Sequence, residues 1–188
     1  MQPNLVRQFF EKYIDGTAEK SLVPGAMLRV CNLTNVVAQV LGLPEGTHTV
    51  HLTTRALKHL YDKKPAEEFS CIIDGLDQIT RYPSHIYANK AGKRGEHCLV
   101  GEYNGVAYIC ALEIREAVIA EEVELFKVDS IEIDESITAV TVRVCVATAF
   151  RIRDEKYLSK CTLLWSREDG NPHRSALDAP EESTNAPQ

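Results

Sequence analysis

The apolar positions of this chain change their period as they run from one end to the other. Residues 4–14 (NLVRQFFEKYI) place Leu5, Val6, Phe9, Phe10, Tyr13 and Ile14 at helical spacing, and Gly16 closes the run. Residues 23–30 predict a short strand following Pro24-Gly25. Residues 32–42 (NLTNVVAQVLG) predict a second helix, with Asn32 or Thr34 as its N-cap and Gly42 as its stop.

From residue 47 the pattern sharpens. Residues 48–52 predict a strand, and Thr53 or Thr54 can cap the helix after it, which carries Arg55 and His59. A further helix fits residues 66–80, ended by Arg81-Tyr82-Pro83. Period-two runs then dominate. Residues 84–89 and 97–103 read as strands, Asn104-Gly105 is a two-residue hairpin turn, and 106–114 returns. Residues 138–150 alternate, with Val140, Val142, Val144, Val146 and Phe150 on one side. Strict alternation puts Thr148 on that Val side and Arg143 and Arg151 on the other; only a twist or bulge would bring Thr148 and Arg151 together. A last apolar segment, 155–165, ends in Leu163, Leu164 and Trp165.

Helices that precede a run of strands imply an α+β fold. The expectation is N-terminal helices packed on one face of a mainly antiparallel sheet of four to five strands. The other face would be open to a ligand. Three segments are expected: a helical N-terminal extension (1–46), an α+β domain (47–166) and a polar, disordered tail (167–188).

Composition narrows the classes. The chain has 188 residues, 44% hydrophobic and 26% charged, which suits one globular domain. No apolar run is long enough for a bilayer, and the N-terminus mixes charge into its apolar positions. The expectation is a cytoplasmic protein with no membrane partner. The six cysteines form no CxxC pair and sit mostly among aliphatic residues, which predicts free thiols. A net charge of −6 argues against nonspecific coating of nucleic acid. The charge is uneven, however. Residues 81–97 hold Arg81, His85, Lys90, Lys93, Arg94 and His97 against the single acid Glu96, whereas 113–135 is acidic. A local basic cleft is compatible with that balance.

Three places could carry chemistry. His59 falls at the margin of the buried face marked by Leu52, Ala56, Leu57 and Leu60, and Arg55 is its neighbour one turn back. An adjacent Arg would hold the imidazole neutral, as a base requires. At the end of the long strand, Thr148, Arg151, Arg153, Lys156 and Lys160 supply the hydroxyl and cationic donors that a pentacoordinate phosphorane needs. Third, Tyr87 could stack on a base while His85, Lys90, Lys93 and Arg94 contact the backbone. The plain alternatives are a half-buried surface His, a strand end turning polar, and a basic loop. No zinc-ribbon or HExxH spacing occurs, no phosphate-binding Gly loop and no nucleophile elbow, so no metal or cofactor is expected.

The order of these pieces resembles the phage-associated domains of the barnase–EndoU–colicin–RelE nuclease superfamily. The resemblance runs over about residues 47–165: a strand, the Leu57-Lys58-His59 helix, a second helix, Tyr82-Pro83, Ile86-Tyr87, a hairpin, then Ala147-Thr148-Ala149-Phe150 with Tyr157 downstream. It implies metal-independent cleavage of RNA, either tRNA or mRNA, through attack by the 2′-hydroxyl, leaving a 2′,3′-cyclic phosphate. It would give His59 the acid/base role, Arg55 and Arg151 the electrostatic role, and Thr148 and Tyr157 the placing of the phosphate. The second acid/base group is open between His51 and His85. A toxin of this kind would have an antitoxin or immunity protein as partner. An inert member of the same fold would be a binding or regulatory module, with 113–135 as its partner surface.

Overall fold

The computed structural model describes residues 4–117, 125–126, 141–154 and 156–168. Helices α1 (Leu5–Tyr13), α2 (Asn35–Val40), α3 (Thr54–Lys63) and α4 (Ala66–Arg81) are interleaved with strands rather than gathered ahead of them. The strands are β1 (Met27–Asn32), β2 (Thr49–Thr53), β3 (His85–Ala88), β4 (His97–Tyr103), β5 (Val106–Ala117), β6 (Leu125–Phe126), β7 (Thr141–Arg151) and β8 (Thr162–Ser166). A 3-10 turn, Leu158–Lys160, precedes β8.

The class is α+β, but the sheet is mixed and eight-stranded, in the order β6-β1-β2-β7-β5-β4-β3-β8. The expectation of four to five mainly antiparallel strands is corrected on both counts. The β1–β6 and β2–β7 pairs are parallel and the remaining pairs antiparallel. The extra strands come from segments that looked peripheral. β1 pairs with β2 from Met27↔Thr53 to Asn32↔Thr49, and β8 pairs with β3. Residue 46 therefore does not divide two cores: Phe9, Phe10, Ile14, Leu28 and Val37 share one apolar cluster with Leu57, Ile72, Leu112 and Val146.

Local signals place the elements well. Asn4 caps α1 by accepting from Arg7 N at 3.1 Å, Thr34 caps α2, and Thr53 caps α3. Asn104 and Gly105 both take positive φ, as the tight turn between β4 and β5 demands. The predicted tail beyond Glu168 and most of the acidic stretch 113–135 lie outside the described residues.

Helix α4 organises the core. Its Thr80 lies 3.1 Å from Cys31 Sγ on β1, while the backbone of Ile79 meets Gly101 on β4 so closely that a Cβ there would stand 2.7 Å from Ile79 Cα. Three strands separate β1 from β4, so the sheet must curl around α4 for adjacent helix residues to touch both. The opposite face carries a smaller cluster: Cys98, Val100, Ile109 and Ala111, with Tyr87, Phe150, Ile152, Tyr157 and Leu158 against it.

Candidate functional site

Strand β7 decides which side chains reach the second face. Val144 and Val146 point into the core around α4, as alternation predicts. The register with β5 then slips: Leu112 pairs with Val146 but Ala111 pairs with Thr148. Ala147 is the extra residue of a β-bulge. After it the parity is inverted. Ala149 takes the core side, and Thr148 and Phe150 join Ala111 and Ile109 on the other. The bulge thus moves Thr148 off the Val face, contrary to strict alternation, and moves Arg151 to the opposite parity. It does not make Thr148 and Arg151 share a face.

The end of β7 opens onto a cleft of about 310 Å³, lined among others by Lys63, Lys64, Phe150, Arg151, Arg153 and Tyr157. Lys64 sits 5.1 Å from the centre of the Phe150 ring, and Phe150 packs edge-on against Tyr157 at 5.0 Å. Tyr157 donates its hydroxyl to Asn89 Oδ1 at 3.0 Å and carries Lys90 over its ring at 4.6 Å. Burial, reinforced by the nearby Cys98 thiol, pushes the Tyr157 hydroxyl up to about 12, so it serves as a neutral donor. Among the cations of the wall stand two acids, the exposed Asp154 and the half-buried Glu68. Glu68 accepts from Arg151 N at 3.2 Å and from Arg153 at 3.0 Å, with Lys64 Nζ at 3.8 Å. Burial lowers the Lys64 ammonium, Arg153 adds to that, and Glu68 opposes it.

His59 is exposed one helical turn before Lys63, on the same face of α3; it is not itself part of the cleft lining, to which Lys63 belongs. Its imidazole lies below the usual range, first through desolvation and then through Arg94, Lys63 and Lys64. The depression expected from the sequence is present, but Arg94 is its largest cationic cause and Arg55 is not among the causes. Arg55 is exposed on α3 one turn further back. Lys58, between them, points the other way: it is buried, donates to Ala18 O at 2.8 Å and pairs with Asp62.

Arg151 and Tyr157 line the cleft, Lys90 lies over the Tyr157 ring, and Arg94 is close enough to His59 to lower its imidazole. Thr148 lies on the second face beside Ala111, and Lys93 and Lys156 are exposed. His85 and Tyr87 share the second face further along the sheet, stacked at 6.2 Å, with His85 Nδ1 2.9 Å from Ser84 Oγ. Neither His51 nor His85 stands beside His59. Sequence reading passed over Lys63, Lys64, Glu68 and Phe150. The spacing His59–Lys63 was the available signal; Glu68 became visible only once α4 was docked against β7. Among the described residues no group of His, Cys, Asp and Glu is placed to hold a metal ion, and no helix is long and apolar enough to cross a membrane. All six cysteines are free thiols.

No family model matches the chain, and neither the curated proteins nor the solved structures contain a match to it. The functional reading rests on the residues themselves.

Proposed function

We propose that the cleft at the end of β7 binds the backbone of RNA, and that His59 cleaves it without a metal. An exposed imidazole on the helix that leads into the cleft, lowered by desolvation and by the charges of Arg94, Lys63 and Lys64, is the observation that supports this reading. Kept neutral at pH 7, His59 can take the proton of a 2′-hydroxyl. The oxygen then attacks the adjacent phosphorus, the bond to the 5′-oxygen breaks as that oxygen takes a proton from solvent water, the His59 imidazolium returns its proton to solvent, and a 2′,3′-cyclic phosphate and a 5′-hydroxyl result. Lys63, Arg94 and Arg151 offset the charge that builds on the phosphoryl oxygens. Tyr157 and Phe150 offer ring faces for a base. The order of elements resembling barnase–EndoU–colicin–RelE nucleases supports the same chemistry.

A second reading is a module that binds RNA and does not turn it over. It is favoured by the opposite parity of Thr148 and Arg151, and by the lack of a second histidine beside His59 among the described residues. One experiment separates the two. The protein and His59→Ala are incubated with single-stranded RNA in EDTA, and products and binding are followed together. Cyclic-phosphate products that vanish in the variant support cleavage by His59. Cleavage at the wild-type rate by the variant removes His59 from the chemistry. Binding without products supports the inert module.

A further inference from the structure

A second basic cluster occupies the same face of the sheet as Thr148 and Phe150, away from the cleft. Arg29 on β1 stands directly opposite His51 on β2, and His51 pairs with Cys145 on β7. One pair further along β7, Arg143 stands directly opposite Arg115 on β5. Arg143 and Cys145 are on the side away from Val144 and Val146, so these groups share the non-core face. Burial, Arg143 and Arg29 together push the His51 imidazole down to about 4, which places both guanidiniums in its field. Cys145 feels both Arg115 and Arg143.

This arrangement disfavours itself when empty. Like charges directly opposite across a strand pair are destabilising, and Arg115 and Arg143 are such a pair. Glu113 engages Arg115. Among the described residues no hydrogen bond or ion pair engages the side chain of Arg29 or Arg143. Three guanidiniums, on β1, β7 and β5 with β2 between the first two, and one carboxylate among the described residues beside them, offer donors suited to phosphate oxygens. The bulge at Ala147 keeps Arg143, Cys145, Thr148 and Phe150 on one face, with Cys145 buried in its floor and Arg143, Thr148 and Phe150 half-buried. From Arg143 to Phe150 the strip runs roughly 20 Å at about 3.3 Å per residue, long enough for several nucleotides.

We propose that Arg29, Arg143 and Arg115 form a second phosphate site, and that a single-stranded RNA lies along β7 between this site and the cleft. The proposal rests on the RNA reading of the cleft. A single strand fits because ring faces (Phe150, Tyr157) stand at one end and cations at both. A duplex would present no bases to those rings.

The test uses the full chain and 2′-O-methyl oligonucleotides, which lack the nucleophile, so binding is read without turnover. A trimer and a 12-mer are titrated against wild type, against Arg29→Gln/Arg143→Gln, and against Lys63→Ala. Wild type is expected to prefer the 12-mer. The double variant should lose at least about tenfold of that preference, with a salt slope about 1.4 smaller, the value for two phosphate contacts to a single strand. Arg29→Gln alone, at an exposed position, gives the same direction if the double variant is unstable. An unchanged preference overturns the second site, while weakened binding of both oligonucleotides by Lys63→Ala leaves the cleft standing. Binding of neither oligonucleotide by wild type overturns both readings. Equal affinity for a 12-base-pair duplex overturns the single-strand path.

Discussion

Glu68 accepts a 3.0 Å hydrogen bond from Arg153 in the wall of the cleft. The same carboxylate receives the backbone N–H of Arg151 and stands near Lys64, so a single half-buried acid restrains two cations and the end of β7. Its position explains how a basic cleft remains folded with no anion bound. Like-charged side chains at the α3–α4 junction converge there because an opposite charge is built into the first turn of α4, where the helix dipole also favours it.

Glu68→Gln should therefore bind RNA more tightly. The amide still accepts from Arg151 N, but it no longer neutralises Lys64 and Arg153. The affinity for a single-stranded oligonucleotide should rise and its salt dependence steepen, measured by fluorescence anisotropy across a salt series. Unchanged affinity and slope would place the bound backbone elsewhere.

The titration of His59 reports its surroundings directly. Its midpoint should fall below the ordinary 6.5, followed by NMR of the imidazole C–H protons. Arg94→Ala removes one of the cations that hold it down, so the midpoint should move up. If His59 is the base, the acid limb of the cleavage rate should move up in step. A midpoint indifferent to Arg94 would separate the basic loop from the histidine.

His51 gives the molecule an acid-sensitive element. Between pH 6.5 and about 4 the unfolded chain binds a proton at His51 that the folded chain refuses. Stability falls as pH drops through that window and levels off below it. The loss attributable to this group is at most about 3 kcal/mol, less whatever solvent screening removes. His51→Gln should flatten that part of the acid limb in urea melts at pH 7 and pH 4.5. A limb as steep as wild type would assign the sensitivity to other groups, of which His97 is similarly lowered by burial.

Gly101 is required by a close approach and not by a turn. A Cβ at this position would stand 2.7 Å from both Cα and O of Ile79, which are backbone atoms that cannot swing aside. Gly101→Ala should destabilise the fold by about 1–3 kcal/mol, read from the urea midpoint. A neutral effect would mean that α4 can slide on β4 at little cost. Asp74 offers a comparison on the other side of α4. It receives both Arg7 (2.9 and 2.6 Å) and Asn4 (3.2 Å), so Asp74→Ala should cost more than Arg7→Ala in the same melts.

Much of the local architecture was legible in the sequence because its causes are local. The Thr53 cap, the Asn104-Gly105 turn, the span of α4 and the 97–103 strand follow from caps, turn residues and period alone. Tertiary structure decided the rest. Which strands pair depends on contacts between distant residues, so β1 was read as part of an extension although it belongs to the sheet. The bulge at Ala147 has no signature in a run of Val, Cys, Ala and Thr; it exists because β5 and β7 meet out of step. That one inserted residue sends Thr148 and Arg151 to sides opposite to those alternation predicts. The cleft itself is a product of docking: Lys64 and Glu68 lie one turn apart, but Arg153 is 85 residues further on and meets them only because α4 packs at the end of β7. Sequence by itself determined which residues could bear charge and which must be buried. Packing alone determined which of them share a surface, because long-range pairing is settled by the whole core and not by any one segment.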